Sequence, residues 1–158
     1  LAIARGKESH YTAVVVLSYH STDRMYQVDA AVQGRWSFAQ QAERIRQLAL
    51  EYQPRVVLIE ANQYQRALAE HLAAQGVRVK PITAREKKQD RIAVLIPLYE
   101  LGLIAHSKRF GELEAQLLGY PDSEYDDLID ALAHAVRYVQ TSASSGMPPQ
   151  VLARRERL

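Results

Sequence analysis

The stretch RVVLIEA, Arg55–Ala61, decides the fold. It is a short, continuous apolar run with no polar alternation, and such a strand is normally buried on both faces, as in a parallel sheet. Pro54 breaks the helical pattern before it. Asn62, with Gln65 three residues on, opens another helical pattern after it. The run ends on Glu60, and ligands in open α/β sheets gather at the carboxyl ends of such strands.

Working outward, YTAVVVLSY (Tyr11–Tyr19) is β-branched and apolar, STDR turns, and MYQVDAAVQ (Met25–Gln33) reads as its hairpin partner. Ser37 and Gln40 form a capping-box pattern, with Phe38, Ala42, Ile45, Leu48 and Tyr52 following at helical spacing. After the second helix Gly76 is placed as a stop, and VRVKPIT (Val77–Thr83) is a further strand candidate. A basic opening, REKKQDR, then leads into a helix interrupted or kinked at Pro97. LIAHS is short and extended, FGELEAQLLGY is helical, and a last helix ends near Gln140. The order predicts an α/β fold, a mixed central sheet with helices on both faces and an antiparallel edge.

The 158 residues are 47% hydrophobic, which suits one globular domain with a real core. Residues 141–158 read as a flexible tail beyond a domain spanning 1–140. TSASSGMPPQ is linker-like, and Arg154, Arg155 and Arg157 make the end basic. A formal charge of +2 permits a nucleic-acid partner without demanding one. The absence of cysteine excludes a disulfide scaffold and a thiolate metal site. No run reaches transmembrane length.

The acidic stretch SEYDDLIDALAHAVRY, Ser123–Tyr138, poses the chemical question. Asp126 or Asp127 at a helix start reads as a cap, and acidic residues there complement the helix dipole. Asp130 lies one turn in, so all three can approach one face, where they repel unless a cation or a basic partner stands between them. Glu60 alone reads equally as a helix-terminal carboxylate or as a partner for Arg55 or Arg66. Taken with the cluster it suggests an all-oxygen site for Mg²⁺ or Mn²⁺. Two such ions can activate a water and stabilise the leaving oxygen of a phosphodiester. Lys80, Arg85, Lys87, Lys88 and Arg91 cluster beyond a strand, where they read as phosphate contacts or as a solvated face blunted by Glu86 and Asp90.

The series YTAVVVL, VDAAVQGRWS, VVLIEAN-YQRAL, KKQDRIAVLIPLYELGLI and YDDLIDALAHAVRY resembles the C-terminal nuclease domain of the phage terminase large subunit, over roughly Leu1 to Val139. The resemblance implies an RNase H-like fold related to the RuvC resolvases. It also implies a divalent-metal-dependent endonuclease that cuts concatemeric viral double-stranded DNA with little sequence preference. Glu60 matches that family's second acidic ligand, and Asp127 and Asp130 lie in its DDxxDA motif, with Asp126 as a neighbour or cap. Arg35 and Trp36 match its GRWS turn, Arg35 as a DNA contact and Trp36 as a core or hinge anchor. The resemblance further implies a separate ATPase domain, a small terminase subunit and a portal as partners, in the host cell cytoplasm.

One departure stands out. The family's first acidic ligand is an Asp at the end of the opening strand, and by spacing it falls immediately before Leu1, or in another register at Ala4. His10 replaces a common Asp before Tyr11 and is expected in a loop, as a candidate DNA contact. His134 lies one turn beyond Asp130 on the same face, as a satisfied helix histidine or a contact to the site. His71 and His106 show no partner pattern. Two rival readings remain open: a junction resolvase or transposase-type nuclease, and a catalytically incomplete fragment that binds DNA or the portal.

Overall fold

The computed structural model describes residues 1–5 and 11–144; His10 and the arginines of the tail lie outside them. Strands β1 (Ala2–Arg5), β2 (Thr12–His20) and β3 (Met25–Gly34) are followed by helix α1 (Phe38–Tyr52). Then come β4 (Val57–Glu60), α2 (Gln63–Ala74), β5 (Val79–Ile82), α3 (Lys88–Ala93) and α4 (Leu95–Glu100). The chain continues through β6 (Ile104–His106), α5 (Gly111–Gly119) and α6 (Asp127–Ser144). One six-stranded sheet runs β5-β4-β1-β2-β3-β6. The β1–β2 and β2–β3 pairs are antiparallel, while β4 lies parallel to both β1 and β5 and β6 parallel to β3. The mixed sheet matches expectation, but its antiparallel pairs lie in the middle and not at an edge, because β5 and β6 each add to the sheet parallel to their neighbour. Val57, Leu58 and Ile59 of β4 are buried between two parallel neighbours, as an unbroken apolar run requires, and Glu60 is half-buried at its end.

Alternation along β2 divides the core into two layers. Ala13 and Val15 face a cluster built with α6, whereas Val14 and Val16 face one built with α1 and α2. The register shifts between Val16 and Leu17, which pair with Ala30 and Val28, so Asp29 is an extra residue on β3. This bulge moves β3 from one face to the other: Tyr26 and Val28 join the α6 layer, and Ala30 joins the α1–α2 layer. Asp29 accepts hydrogen bonds from the side chains of Ser18 and Gln27.

Local signals set most boundaries. Ser37 caps α1 in a full capping box with Gln40, and Gln53 ends it in a left-handed conformation just before Pro54. Asn62 caps α2 through Gln65 N, but the Gln65 side chain does not return the bond; its Oε1 is buried without a hydrogen-bond partner among the described residues. Gly76 ends that region at φ +82. Gly34 is needed for close approach, since a Cβ there would lie 2.4 Å from Trp36 Nε1. Trp36 packs against the α1–α2 layer, as expected of an anchor.

Two boundaries differ from expectation. The helical break falls at Val94, between α3 and α4, and not at Pro97. Proline's ring excludes the carbonyl four residues back, here that of Ala93, so the helix opens one residue after that carbonyl and restarts with Pro97 inside a first turn. Helix α6 runs on to Ser144, with Thr141 Oγ1 donating to the carbonyls of Arg137 and Tyr138.

Candidate functional site

Glu60 closes β4, where Ala61 N donates to Ile82 O of β5 at 2.7 Å. On its other side β1 runs parallel, with Ala2 opposite Leu58 and Ile3 opposite Ile59. One step further in that register sets Ala4 beside Glu60. Among the described residues β1 therefore carries no carboxylate.

Helix α6 lies across β1 and β2 and brings its first turn to the same end of the sheet. Asp127 and Asp130 are 3% and 5% exposed. Burial pushes the Glu60 carboxyl above its ordinary range, and the negative charge of Asp130 adds to this, opposed by Arg91 and Lys88. Glu60 and Asp130, distant in sequence, thus share one electrostatic environment.

The helix start is capped in a way the sequence does not announce. Gln116 of α5 accepts from Leu128 N at 2.9 Å and Ile129 N at 3.4 Å, while its amide donates to Gln33 Oε1 at the end of β3. Two orphan N–H groups of α6 are satisfied by a side chain from another helix. The Asp126 side chain, a candidate cap, instead accepts from Lys88 Nζ at 2.6 Å.

Of the two answers to like-charge repulsion, this structure holds the basic partner. Lys88 Nζ also lies 3.7 Å from Asp127 and 3.8 Å from Asp130. Arg91 Nε donates to Asp130 Oδ1 at 2.7 Å, and its Nη1 donates to Glu86 O. Burial alone would lower the Lys88 pKa, but the hydrogen bond to Asp126 and the fields of Asp130, Asp126 and Asp127 outweigh it and raise it overall.

The six expected DNA-contact residues divide. Arg35, Lys80, Arg85 and Lys87 are exposed. Lys88 is half-buried and Arg91 is 5% exposed, both turned inward onto carboxylates. Arg35 stacks on Tyr11, whose ring meets Tyr125 beside the acidic cluster, and Lys80 lies over Tyr138. His134 is buried, its Nε2 has no hydrogen-bond partner among the described residues, and burial lowers its pKa to about 4. His71 and His106 do have partners: Gln75 for the first, Tyr99 and Glu114 for the second.

Among the described residues, no three His, Cys, Asp or Glu side chains converge closely enough to hold an ion as the carboxylates stand around Lys88. Their donor chemistry nevertheless fits a hard divalent cation: oxygen ligands only, crowded and partly buried, with Glu60 inadequately compensated.

A strand order of β3-β2-β1-β4-β5, with an acidic residue closing β4 and acidic residues opening α6, defines an RNase H-like domain. The chain belongs to the terminase RNaseH-like domain family, whose model matches residues 3–138. It is similar to the large terminase nuclease of thermophilic phage G20c. With bound zinc the TM-score is 0.68 and the identity 22%, over 86% of this chain and 78% of that one. The magnesium-bound form gives 0.67 and 21% over the same shares. The yeast mitochondrial Holliday junction resolvase Ydc2 is similar at TM-score 0.60 and 14% identity, over 94% of this chain and 80% of that one. No curated protein matches the chain.

Proposed function

We propose that this domain is a divalent-metal-dependent endonuclease that hydrolyses phosphodiesters of double-stranded DNA in a viral packaging terminase. The observation that carries it is the shared environment of Glu60, closing β4, and Asp130, one turn into α6. Glu60, Asp127 and Asp130 would hold Mg²⁺ or Mn²⁺, as two ions, with Asp126 at the rim. When bound, such ions lower the pKa of a coordinated water and neutralise charge on a phosphodiester. Structures of the phage G20c nuclease with bound zinc, magnesium and cobalt support a divalent ion on this fold.

The chain's own side chains would do the rest. Burial of Asp127 and Asp130 limits their motion. Exposed Arg35, Lys80, Arg85 and Lys87 would meet phosphates, giving affinity with little sequence choice. The nuclease unit would extend past the expected boundary at 140 to the end of α6 at Ser144, with the basic residues Arg154, Arg155 and Arg157 following it in sequence. The ATPase domain, small subunit and portal are the partners this reading implies, in the host cell cytoplasm. No described helix is long and apolar enough to cross a membrane.

A second reading, DNA or portal binding without cutting, is favoured by the alanine that β1 places beside Glu60. Plasmid cleavage in Mn²⁺, Mg²⁺ or EDTA, with Glu60→Gln as control, separates the two. Metal-dependent nicking lost in the control supports the nuclease; DNA binding without nicking by the folded chain supports the second reading. A parallel four-way-junction substrate tests the resolvase alternative, which requires preference for the junction over linear duplex.

A further inference from the structure

We propose that Lys88 is an internal counter-ion that holds the site's carboxylates together in the metal-free protein and must swing out for a divalent cation to enter. This rests on the metal reading above. The Lys88 ammonium donates a hydrogen bond to Asp126 at 2.6 Å and stands at ion-pair distance, 3.7 and 3.8 Å, from Asp127 and Asp130. It stands among those oxygens, so a divalent cation gathering them would compete with it for the same carboxylates. Two positive groups cannot share that space, so entry and departure are coupled.

The two basic residues differ in their freedom to leave. The Arg91 side chain is 6% exposed and is tied to both Asp130 and the carbonyl of Glu86. A rigid guanidinium with two anchors stays. The Lys88 side chain is 34% exposed, opens the first turn of α3, and carries its charge on a flexible stem. It has a route to solvent beside exposed Lys87.

The charge balance leaves room for the exchange. Glu60, Asp126, Asp127 and Asp130 face Lys88 and Arg91, so the carboxylates outnumber the cations even with Lys88 in place. His134, 6% exposed, lies in the same field of charges, and its Nε2 has no hydrogen-bond partner among the described residues. A buried polar atom without a protein partner is costly unless water or a ligand reaches it.

The test needs no substitution at first. The chain is treated with an acetylating reagent in EDTA and in saturating Mn²⁺, and modification of Lys88 and Lys87 is read by peptide mass spectrometry. Bound Mn²⁺ is measured on the same samples by electron paramagnetic resonance. Lys88, freed from the carboxylates that hold it charged, should react at least about fivefold faster with Mn²⁺ bound, while Lys87, the internal reference, changes little. As a second arm, Lys88→Gln should bind Mn²⁺ about tenfold more tightly than the parent, and Lys87→Gln, with the same change in net charge, within about twofold. Mn²⁺ bound with Lys88 reactivity unchanged overturns the proposal and leaves the metal reading standing. No Mn²⁺ bound by the parent or by either folded variant overturns both.

Discussion

Arg91 on α3 and Asp130 on α6, 39 residues apart, meet at 2.7 Å with both side chains almost fully buried. Two charges withdrawn from water are tolerated because each satisfies the other and Arg91 reaches a second acceptor, Glu86 O. Glu86 is itself held by Arg137 of α6 in a two-pronged pair at 3.2 and 2.5 Å. The segment leading into α3 is thereby fixed to the helix that carries the acidic cluster, which fixes where Lys88 can stand.

Removing Arg91 takes the hydrogen-bonded partner from the buried Asp130 and leaves it the more distant Lys88 ammonium, 3.8 Å away. Arg91→Met should lower stability by about 3–5 kcal/mol, measured by urea unfolding at pH 7. Adding Asp130→Asn should recover much of that loss, because the group left without its hydrogen-bonded partner is then neutral. A double variant as unstable as the sum of the two singles would show that the pair is not coupled.

Glu60 carries the opposite expectation. Its pKa is raised by burial and by Asp130, so ionisation at pH 7 disfavours the folded state. The sign follows: a carboxyl with a folded pKa above its unfolded value loses stability as pH rises through that folded pKa. Glu60→Gln should therefore raise the thermal midpoint in EDTA by a few degrees, roughly 2–4 °C, at pH 7. The same substitution should abolish metal-dependent cleavage. A lower midpoint would mean that the carboxylate is structural.

Gln116 is a structural counterpart. Its side chain is the acceptor for Leu128 N and Ile129 N at a buried helix start. Gln116→Ala should cost about 2 kcal/mol, combining a lost cap with two N–H groups left without that acceptor. For a domain of this size that is a fall of roughly 4–8 °C in midpoint by calorimetry. An unchanged midpoint would show that water replaces the cap at no cost.

What the sequence made legible follows from the range of each signal. The unbroken run before Glu60, the Ser37–Gln40 box and the stop at Gly76 are local, and the structure carries each of them. The bulge at Asp29 is harder, because Met25–Gln33 reads as plain alternation and only the pairing of Val16 with Ala30 exposes the extra residue. The acidic helix start showed that a cation was needed but not which one. Lys88 and Arg91 sit beside carboxylates far along the chain, and no spacing rule connects them. Gln116 was missed for the same reason, since one glutamine in an amphipathic helix gives no sign that it will cap the next one.

His134 gives the sharpest dependence on pH. Burial lowers its pKa from the ordinary 6.5 to about 4; Asp130 and Glu86 pull the other way, and Arg91 and Lys88 reinforce the fall. The unfolded chain takes up its proton near pH 6.5, whereas the folded chain holds out to about pH 4. Between those values the unfolded state binds more protons, so stability rises with pH. The contribution is fully present above pH 6.5 and is lost as pH falls towards 4, on the order of 3 kcal/mol in all. His134→Leu removes the titrating group and keeps an apolar side chain of similar size. Urea midpoints for parent and variant should be taken in steps from pH 7 to pH 4, because titrating groups not coupled to His134 cancel in the difference between them. The variant should gain on the parent steadily as pH falls. A difference that stays flat across the window would mean that His134 is not buried in its neutral form.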